Sequence, residues 1–416
     1  MSVRDLMTAP SSLPSLFLAA PQADALRPLD GVFSRAEAAR AGAEIRAWSG
    51  YTPTPLLAFP GLAAALGLGR VWCKYEAPRF GLGSFKALGG AYAVMRALQE
   101  KVAAATGETA SAADLESGRF AGITRGITMV TASDGNHGLS VAWGAQRFGA
   151  RAVVYLHRAV SPGREALIRE VGGDTVRIAG NYDDSVADAA RVAREKGWIL
   201  VADTSDDLAD PAPARVMAGY GVLVREALDA IPAAEAPTHV VLQGGCGGMA
   251  AAVAGLIADH CDDLGAPRPR FIIVEPENAA CLIATAAAGA PVRIAGDLET
   301  IMAGLSVGEV SALAWPVLHR LGALYMTIPD GVARDAMEAF GRGSYGDAPV
   351  VIGDAGVAGL AGLIHLARSA EGRALAGLDG ASRVLTIATE GAVDREGYRR
   401  LTGLSPDGIA AAPADA

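Results

Sequence analysis

The sequence predicts an α/β protein made of two three-layer α/β domains with parallel-rich sheets, the small domain inserted in the large one. Three observations lead there. Residues 127–203 alternate strand and helix with short, glycine-containing joints. A second alternating series begins after Asp210 and runs to about 389. The chain, at 416 residues, is too long for one ordinary core. Strict β-α-β alternation specifies parallel strands joined by crossover helices. The boundaries expected from it are 91–205 for the small domain, with 1–90 and 206–416 forming the large one.

The elements follow in order. A helix is expected over 34–48. The proline-punctuated "YTPTPLLAF" reads as extended chain, and "LGRVWCKYE" as a strand. An apolar helix follows from Ala87 to Leu98, and residues 103–120 read as a surface loop with one short helix. Then "ITMVTAS" is a strand and "GNHGLSVAWGAQRFG" a helix whose Val141, Ala145 and Phe148 share one face. Strand–helix pairs continue through "ARAVVYLH", "PGREALIREVGG", "DTVRIAG" and "YDDSVADAARVAREKG", ending with the strand "WILVAD". Asp183 and Asp184 open a helix, where acids suit the dipole. The second series holds one helix over 214–231, strand "THVVLQ", helix "MAAAVAGLIADH" and strand "RFIIVEPE". It then holds strand "ALYMTI", a helix around Ala336, another after Asp354, and strand "RVLTIAT". The last dozen residues read as frayed.

Bulk composition excludes several classes. Hydrophobic residues make up 51% and charged residues 19%, a globular balance. The net charge of -9 leaves no basic face for nucleic acid. No apolar run approaches the ~18 residues of a membrane span. The N-terminal "LPSLFLAAPQA" is too short in its apolar part for a secretory core. The four cysteines, Cys73, Cys246, Cys261 and Cys281, form no CxxC pair, which argues against a disulfide framework or a metal site and suits a reducing cytoplasm.

Three motifs carry chemistry. In "GGCGG", Gly244–Gly248, a glycine loop joins a strand to a helix. Bare backbone N–H groups and the helix dipole meet there, which makes an anion site, most often for phosphate. The same loop satisfies a loose dinucleotide fingerprint, but it lies past the middle of the chain rather than at a first βα turn. "TASDGNHG", Thr131–Gly138, also joins a strand to a helix, where α/β sheets place ligands; its Asn and Asp equally suit a turn. Lys86 follows a Gly/Ser run, and a lysine in a dry pocket can lose its proton and form a Schiff base. A reactive lysine, a phosphate cup and a polar turn together suit an aldehyde cofactor with a phosphate handle, namely pyridoxal phosphate (PLP).

Taken in order, "SFKALGG", "TASDGNHG", "GGCGG" before "MAAAVAG", and "IIVEPE" resemble the PLP enzymes of fold type II, the tryptophan-synthase-β-like group, over about residues 35–400. A narrower set, "SFKALGGAYAV", "VAW", "NYDDSV", "VADT", "IMAGL" and "ATEG", resembles the diaminopropionate ammonia-lyase family. The resemblance implies a role for each matching residue. Lys86 holds PLP and acts as a base on one face of the substrate, with Phe85 beside it in the cofactor-binding set. Asn136 bonds the cofactor's phenolic oxygen. Gly244, Gly245, Cys246, Gly247 and Gly248 cradle its phosphate. Thr389 offers a hydroxyl near the pyridine nitrogen. Asp134, where most type II dehydratases carry Ser or Ala, takes the α-proton from the opposite face, and Asp203 is the second acid. Two positions depart from the family: Cys246 at the centre of the phosphate loop and Ala355 in "GDAGVAGL", where Ser is frequent.

Two bases on opposite faces imply that both D- and L-diaminopropionate are processed, releasing ammonia and, after hydrolysis, pyruvate. The rivals are a serine, threonine or hydroxyaspartate dehydratase, a lyase on another diamino acid, a non-catalytic PLP-binding regulator, and an NAD enzyme. His137 reads as a neighbour of the cofactor rather than a base, and Cys246 as no catalytic thiol. The partners expected are a small amino-acid substrate and a second copy of the chain in a homodimer, with no nucleic acid and no membrane.

Overall fold

Thirteen strands lie among the described residues: β1 (Met7–Thr8), β2 (Leu16–Leu18), β3 (Leu56–Ala58), β4 (Arg70–Tyr75), β5 (Thr128–Ser133), β6 (Arg151–Leu156), β7 (Asp174–Arg177), β8 (Ile199–Leu200), β9 (His239–Gln243), β10 (Arg270–Pro276), β11 (Val292–Arg293), β12 (Leu324–Ile328) and β13 (Arg383–Ala388). The computed structural model describes residues 7–8, 15–21, 26–133, 135–205 and 207–409, the side chains of Met7, Thr8 and Asp183 aside. Asp134 and the end of the chain expected to fray, 410–416, lie outside these residues, as does part of the N-terminal "LPSLFLAAPQA".

The chain divides into two units. The smaller comprises Phe33–Thr52 and Arg79–Val222; the larger comprises Met1–Val32, Pro53–Pro78 and Leu223–Ala416. The smaller unit thus takes in more chain than 91–205. Helices Arg35–Arg46, Ala87–Thr106 and Pro211–Gly219 pack on one another and draw the flanking segments with them.

In the smaller unit the sheet order is β7-β6-β5-β8, all parallel. Its core sets Val130, Val153 and Tyr155 against Ala189, Val192 and Ala193 of helix Tyr182–Lys196. That helix starts in a capping box between Asn181 and Asp184. Helix Ala87–Thr106 runs past the expected Leu98 into the stretch read as loop, and a short helix, Ala112–Glu116, follows it. The two glycines of "ALGG" allow close crossings. A Cβ on Gly89 would stand 2.7 Å from Val216 Cγ1, and one on Gly90 would stand 1.9 Å from Ser140 Oγ. On the partner helix Asn136–Arg147, a Cβ on Gly144 would meet Ala91 Cα at 2.6 Å. Small residues on both helices let their backbones touch, which sets where Lys86 begins its helix relative to Asn136.

The larger unit carries a seven-stranded sheet in the order β2-β12-β10-β9-β13-β4-β3. The five inner strands run parallel, and the edge strands β2 and β3 pair antiparallel. Its core includes Val241, Ile272, Val274, Met326 and Val384, covered by Leu360, Leu363 and Ile364 of helix Ala358–Arg368. The helix expected over 214–231 is two, Pro211–Gly219 and Gly221–Ala230. Parallel strands share one carboxyl edge, so Tyr75, Gln243, Pro276 and Ala388 all end on it, and ligand-binding loops of α/β sheets leave from that edge.

Candidate active site

The site residues fall into two groups, one in each unit. In the smaller unit, Lys86 occupies the N-cap position of helix Ala87–Thr106. Its Nζ donates to Asp203 Oδ2 at 2.8 Å, and the two side chains are 23% and 19% exposed. Neighbouring Phe85 is buried against Tyr220, with ring centroids 4.7 Å apart, and Lys86 Nζ lies 5.6 Å from the Phe85 centroid. Asp203 follows β8 in the sequence. Burial pushes its carboxyl up, but the charges of Lys86 and His137 outweigh burial and hold it well below the usual carboxylate range.

The turn after β5 is built around Ser133. Its Oγ accepts from Gly135 N at 2.9 Å and from Gly138 N at 2.8 Å, so it caps helix Asn136–Arg147. Gly135 has φ +148°, a region in which side-chain-bearing residues are strained. Asn136 and His137 are buried in the first turn, and His137 Nε2 lies 2.9 Å from Val201 O. His137 thereby ties the helix start to the chain leading to Asp203. Sequence reasoning assigned no role to Ser133, although its place just ahead of a helix start was a capping signal. Asp134 lies outside the described residues.

In the larger unit, the loop Gly244–Gly248 leaves β9 and enters the 17-residue helix Gly248–Leu264. Gly245 and Gly247 have φ +65° and +90°, which favour glycine. The first intrahelical donor is Ala251, whose N–H reaches Gly247 O at 2.8 Å. The amides before it have no acceptor within the helix and sit at its positive end. A Cβ on Gly248 would meet nothing nearer than Cys246 Sγ at 3.8 Å, and one on Gly245 nothing nearer than Leu305 Cδ2 at 3.5 Å. This is an open backbone cup, and it suits a phosphate. Its rear is closed: Cys246 O accepts from Ser311 N at 2.8 Å, and a Cβ on Gly244 would strike Glu275 Cγ at 2.6 Å. Gly244 departs from its expected part in the phosphate cradle, because its N–H donates to Val274 O at 2.8 Å and continues the strand pairing.

Glu275 is fully buried and accepts from Leu282 N and Ile283 N, each at 2.8 Å. Burial pushes its carboxyl up to about 8, against the pull of those two N–H donors. Thr389 follows β13, is buried, and its Oγ1 lies 2.9 Å from Gln243 Nε2. The Gln243 and Glu275 contacts were not foreseen. Both residues were visible at strand ends, but nothing local said what they touch. Within the larger unit, the open cup and the Thr389 hydroxyl leave the same carboxyl edge of the sheet, a backbone anion site and a polar group of the kinds a phosphate and a ring nitrogen require.

Residues 47–390 match the family described as pyridoxal-phosphate dependent enzyme, and the chain belongs to that family. Its cofactor is pyridoxal phosphate. Among relatives, diaminopropionate ammonia-lyase of Escherichia coli (strain K12) is 36% identical over 375 residues, 89% of this chain and 92% of that protein. The same enzyme of Salmonella typhimurium (strain LT2) is 36% identical over 349 residues, 82% of this chain and 85% of that protein. Solved structures of the Escherichia coli enzyme superpose closely. The holo form has a TM-score of 0.81 at 33% identity, covering 94% of this chain and 98% of that one. The form in complex with D-serine has a TM-score of 0.81 at 32% identity, with the same coverage.

Proposed function

We propose that the protein eliminates ammonia from 2,3-diaminopropionate, of either hand, to give pyruvate and a second ammonia. The observation that carries this is the Lys86–Asp203 pair, an amine held by a carboxylate that stays charged at neutral pH. When bound, PLP supplies the electron sink that makes the α-proton of an amino acid acidic.

The chain's own residues do the rest. Lys86 would hold the cofactor through Nζ, Asn136 its phenolic oxygen, the amides of the Gly245–Gly248 loop its phosphate, and Thr389 its ring nitrogen. Phe85, packed on Tyr220, sets an aromatic ring beside the lysine. Lys86 takes the α-proton of one enantiomer and Asp134 that of the other. The Asp203 carboxylate favours a substrate with a β-ammonium over one with a β-hydroxyl, because a nearby anion attracts the cation and gains little from the alcohol. The β-nitrogen then leaves as ammonia, and the released 2-aminoacrylate hydrolyses to pyruvate.

A panel of D- and L-diaminopropionate, serine, threonine and hydroxyaspartate, with ammonia and keto-acid detection, tests this. Fastest turnover of diaminopropionate supports it. Turnover of only the hydroxy amino acids would overturn it in favour of a dehydratase. Among the described residues no helix is long and apolar enough to cross a membrane. The same reading places the enzyme in the cytoplasm, in keeping with its four free cysteines, and makes it a homodimer, which light scattering of the purified protein checks.

A further inference from the structure

Gln243 is the last residue of β9, directly before the glycine loop, and it is buried. Its Nε2 lies 2.9 Å from Ile387 O and 2.9 Å from Thr389 Oγ1, with Gly356 O at 3.3 Å and Ala355 O at 3.4 Å. Three of these four neighbours are main-chain carbonyls, which only accept. The amide must therefore present its nitrogen to them, and this removes the usual ambiguity between its two ends. An amide nitrogen has two hydrogens, and the two shortest contacts take them. Thr389 Oγ1 is thus an acceptor toward Gln243, and its own hydrogen is directed elsewhere. Among the described residues the Thr389 hydroxyl has no protein acceptor. Gln243 Oε1 is buried without a hydrogen-bond partner. The chain thus tolerates an unpaired carbonyl, which carries a desolvation cost, while the nitrogen end stays turned to Thr389.

We propose that Gln243 is a positioning residue that fixes the Thr389 hydroxyl as a hydrogen-bond donor toward the cofactor ring nitrogen, which is thereby kept unprotonated. This rests on the reading of Thr389 as the ring-nitrogen partner. A hydroxyl free to turn could accept from a protonated ring nitrogen; one already accepting from Gln243 is steered to donate. An unprotonated ring withdraws electrons less strongly, which restrains side reactions of the α-carbanion and suits rapid loss of a β-group.

The test uses holoenzyme reconstituted with ring-15N-labelled pyridoxal phosphate, following the ring-nitrogen chemical shift from about pH 6 to 9. The wild type and Thr389→Ser should remain unprotonated throughout. Gln243→Met keeps the volume and removes the donor, and should raise the ring nitrogen's proton affinity about tenfold or more, the worth of one hydrogen bond. Gln243→Glu should move it the same way. Among four oxygens its carboxyl must stay protonated, and it has one hydrogen to share; it carries the test if the Met variant does not fold. Gln243 variants that titrate like the wild type, while Thr389→Ala shifts, would overturn the proposal and leave Thr389 in place at the ring. A Thr389→Ala protein that titrates like the wild type would remove the reading of Thr389 and the proposal with it.

Discussion

Lys86 Nζ stands 2.8 Å from Asp203 Oδ2 across 117 positions of sequence. The two come from different kinds of element, a helix N-cap position and the chain after a strand, and they meet only because the glycine-mediated helix crossings and the parallel sheet hold both. The pair ties the chemistry of the amine to that of the acid.

Replacing Lys86 by Ala removes the amine that would hold the cofactor. Borohydride reduction followed by peptide mass mapping should find a pyridoxyl adduct on Lys86 in the wild type and none at this position in the variant. Turnover should fall about 10²–10⁴-fold, the range for loss of a general base.

Asp203→Asn should change both activity and acid stability. The native carboxyl is held below its ordinary value of 3.8, so the folded state binds fewer protons than the unfolded one as the pH drops. Stability from this group is fully present above the unfolded value and is lost as pH falls from about 5 downward. Denaturant titrations between about pH 6 and 3 should therefore show a shallower decline for Asp203→Asn than for the wild type. An equally steep decline would show that the pair contributes nothing to acid sensitivity.

Asp134→Asn should separate the two hands of substrate. Turnover of D-diaminopropionate should fall about 10²-fold or more while the L-enantiomer is far less affected. Equal losses on both would remove the assignment of one base to each face.

Gly90 and Ser140 should be energetically coupled. A Cβ at position 90 would lie 1.9 Å from Ser140 Oγ and 3.1 Å from Ser140 Cβ. Gly90→Ala should destabilise the protein by about 1–3 kcal/mol through overpacking. Adding Ser140→Gly removes the obstructing atoms, so a double-mutant cycle read from urea midpoints should show that the second change offsets much of the first.

The cysteines should report on the phosphate loop. Cys73 and Cys281 are fully buried, and burial pushes the Cys73 thiol up to about 11, so both should resist alkylation in the native protein. Cys246 and Cys261 are partly exposed. Adding pyridoxal phosphate to the cofactor-free protein should slow alkylation of Cys246, which sits in the cup, and leave Cys261 on the following helix unchanged. Unchanged alkylation of Cys246 on adding pyridoxal phosphate would argue against phosphate binding at the Gly245–Gly248 loop.

Much was legible along the chain because its signals are local. The strand–helix alternation from Thr128 to Lys196 needs only apolar spacing and glycine joints. The cup at Gly244–Gly248 needs only glycines between a strand and a helix, and Lys86 stands out as the lone cation in an otherwise small and apolar stretch. Other features had no local mark. The sheet order sets β13, the last strand of the chain, between β9 and β4, and no short window of sequence encodes that choice. The split of the 214–231 helix at Tyr220 and the extension of the smaller unit to include Phe33–Thr52 also depend on what packs against what.

The sequence by itself determined the class of fold, the kind of chemistry and the residue types that carry it, because side-chain identity and short-range periodicity act within a few residues. Tertiary structure alone decided that Lys86 answers to Asp203, that Ser140 demands a glycine at position 90, and that Gln243 turns its nitrogen to Thr389 across 146 positions. A partner so far away is chosen by which strands become neighbours and how closely helices cross, and that is settled only when the whole core packs at once.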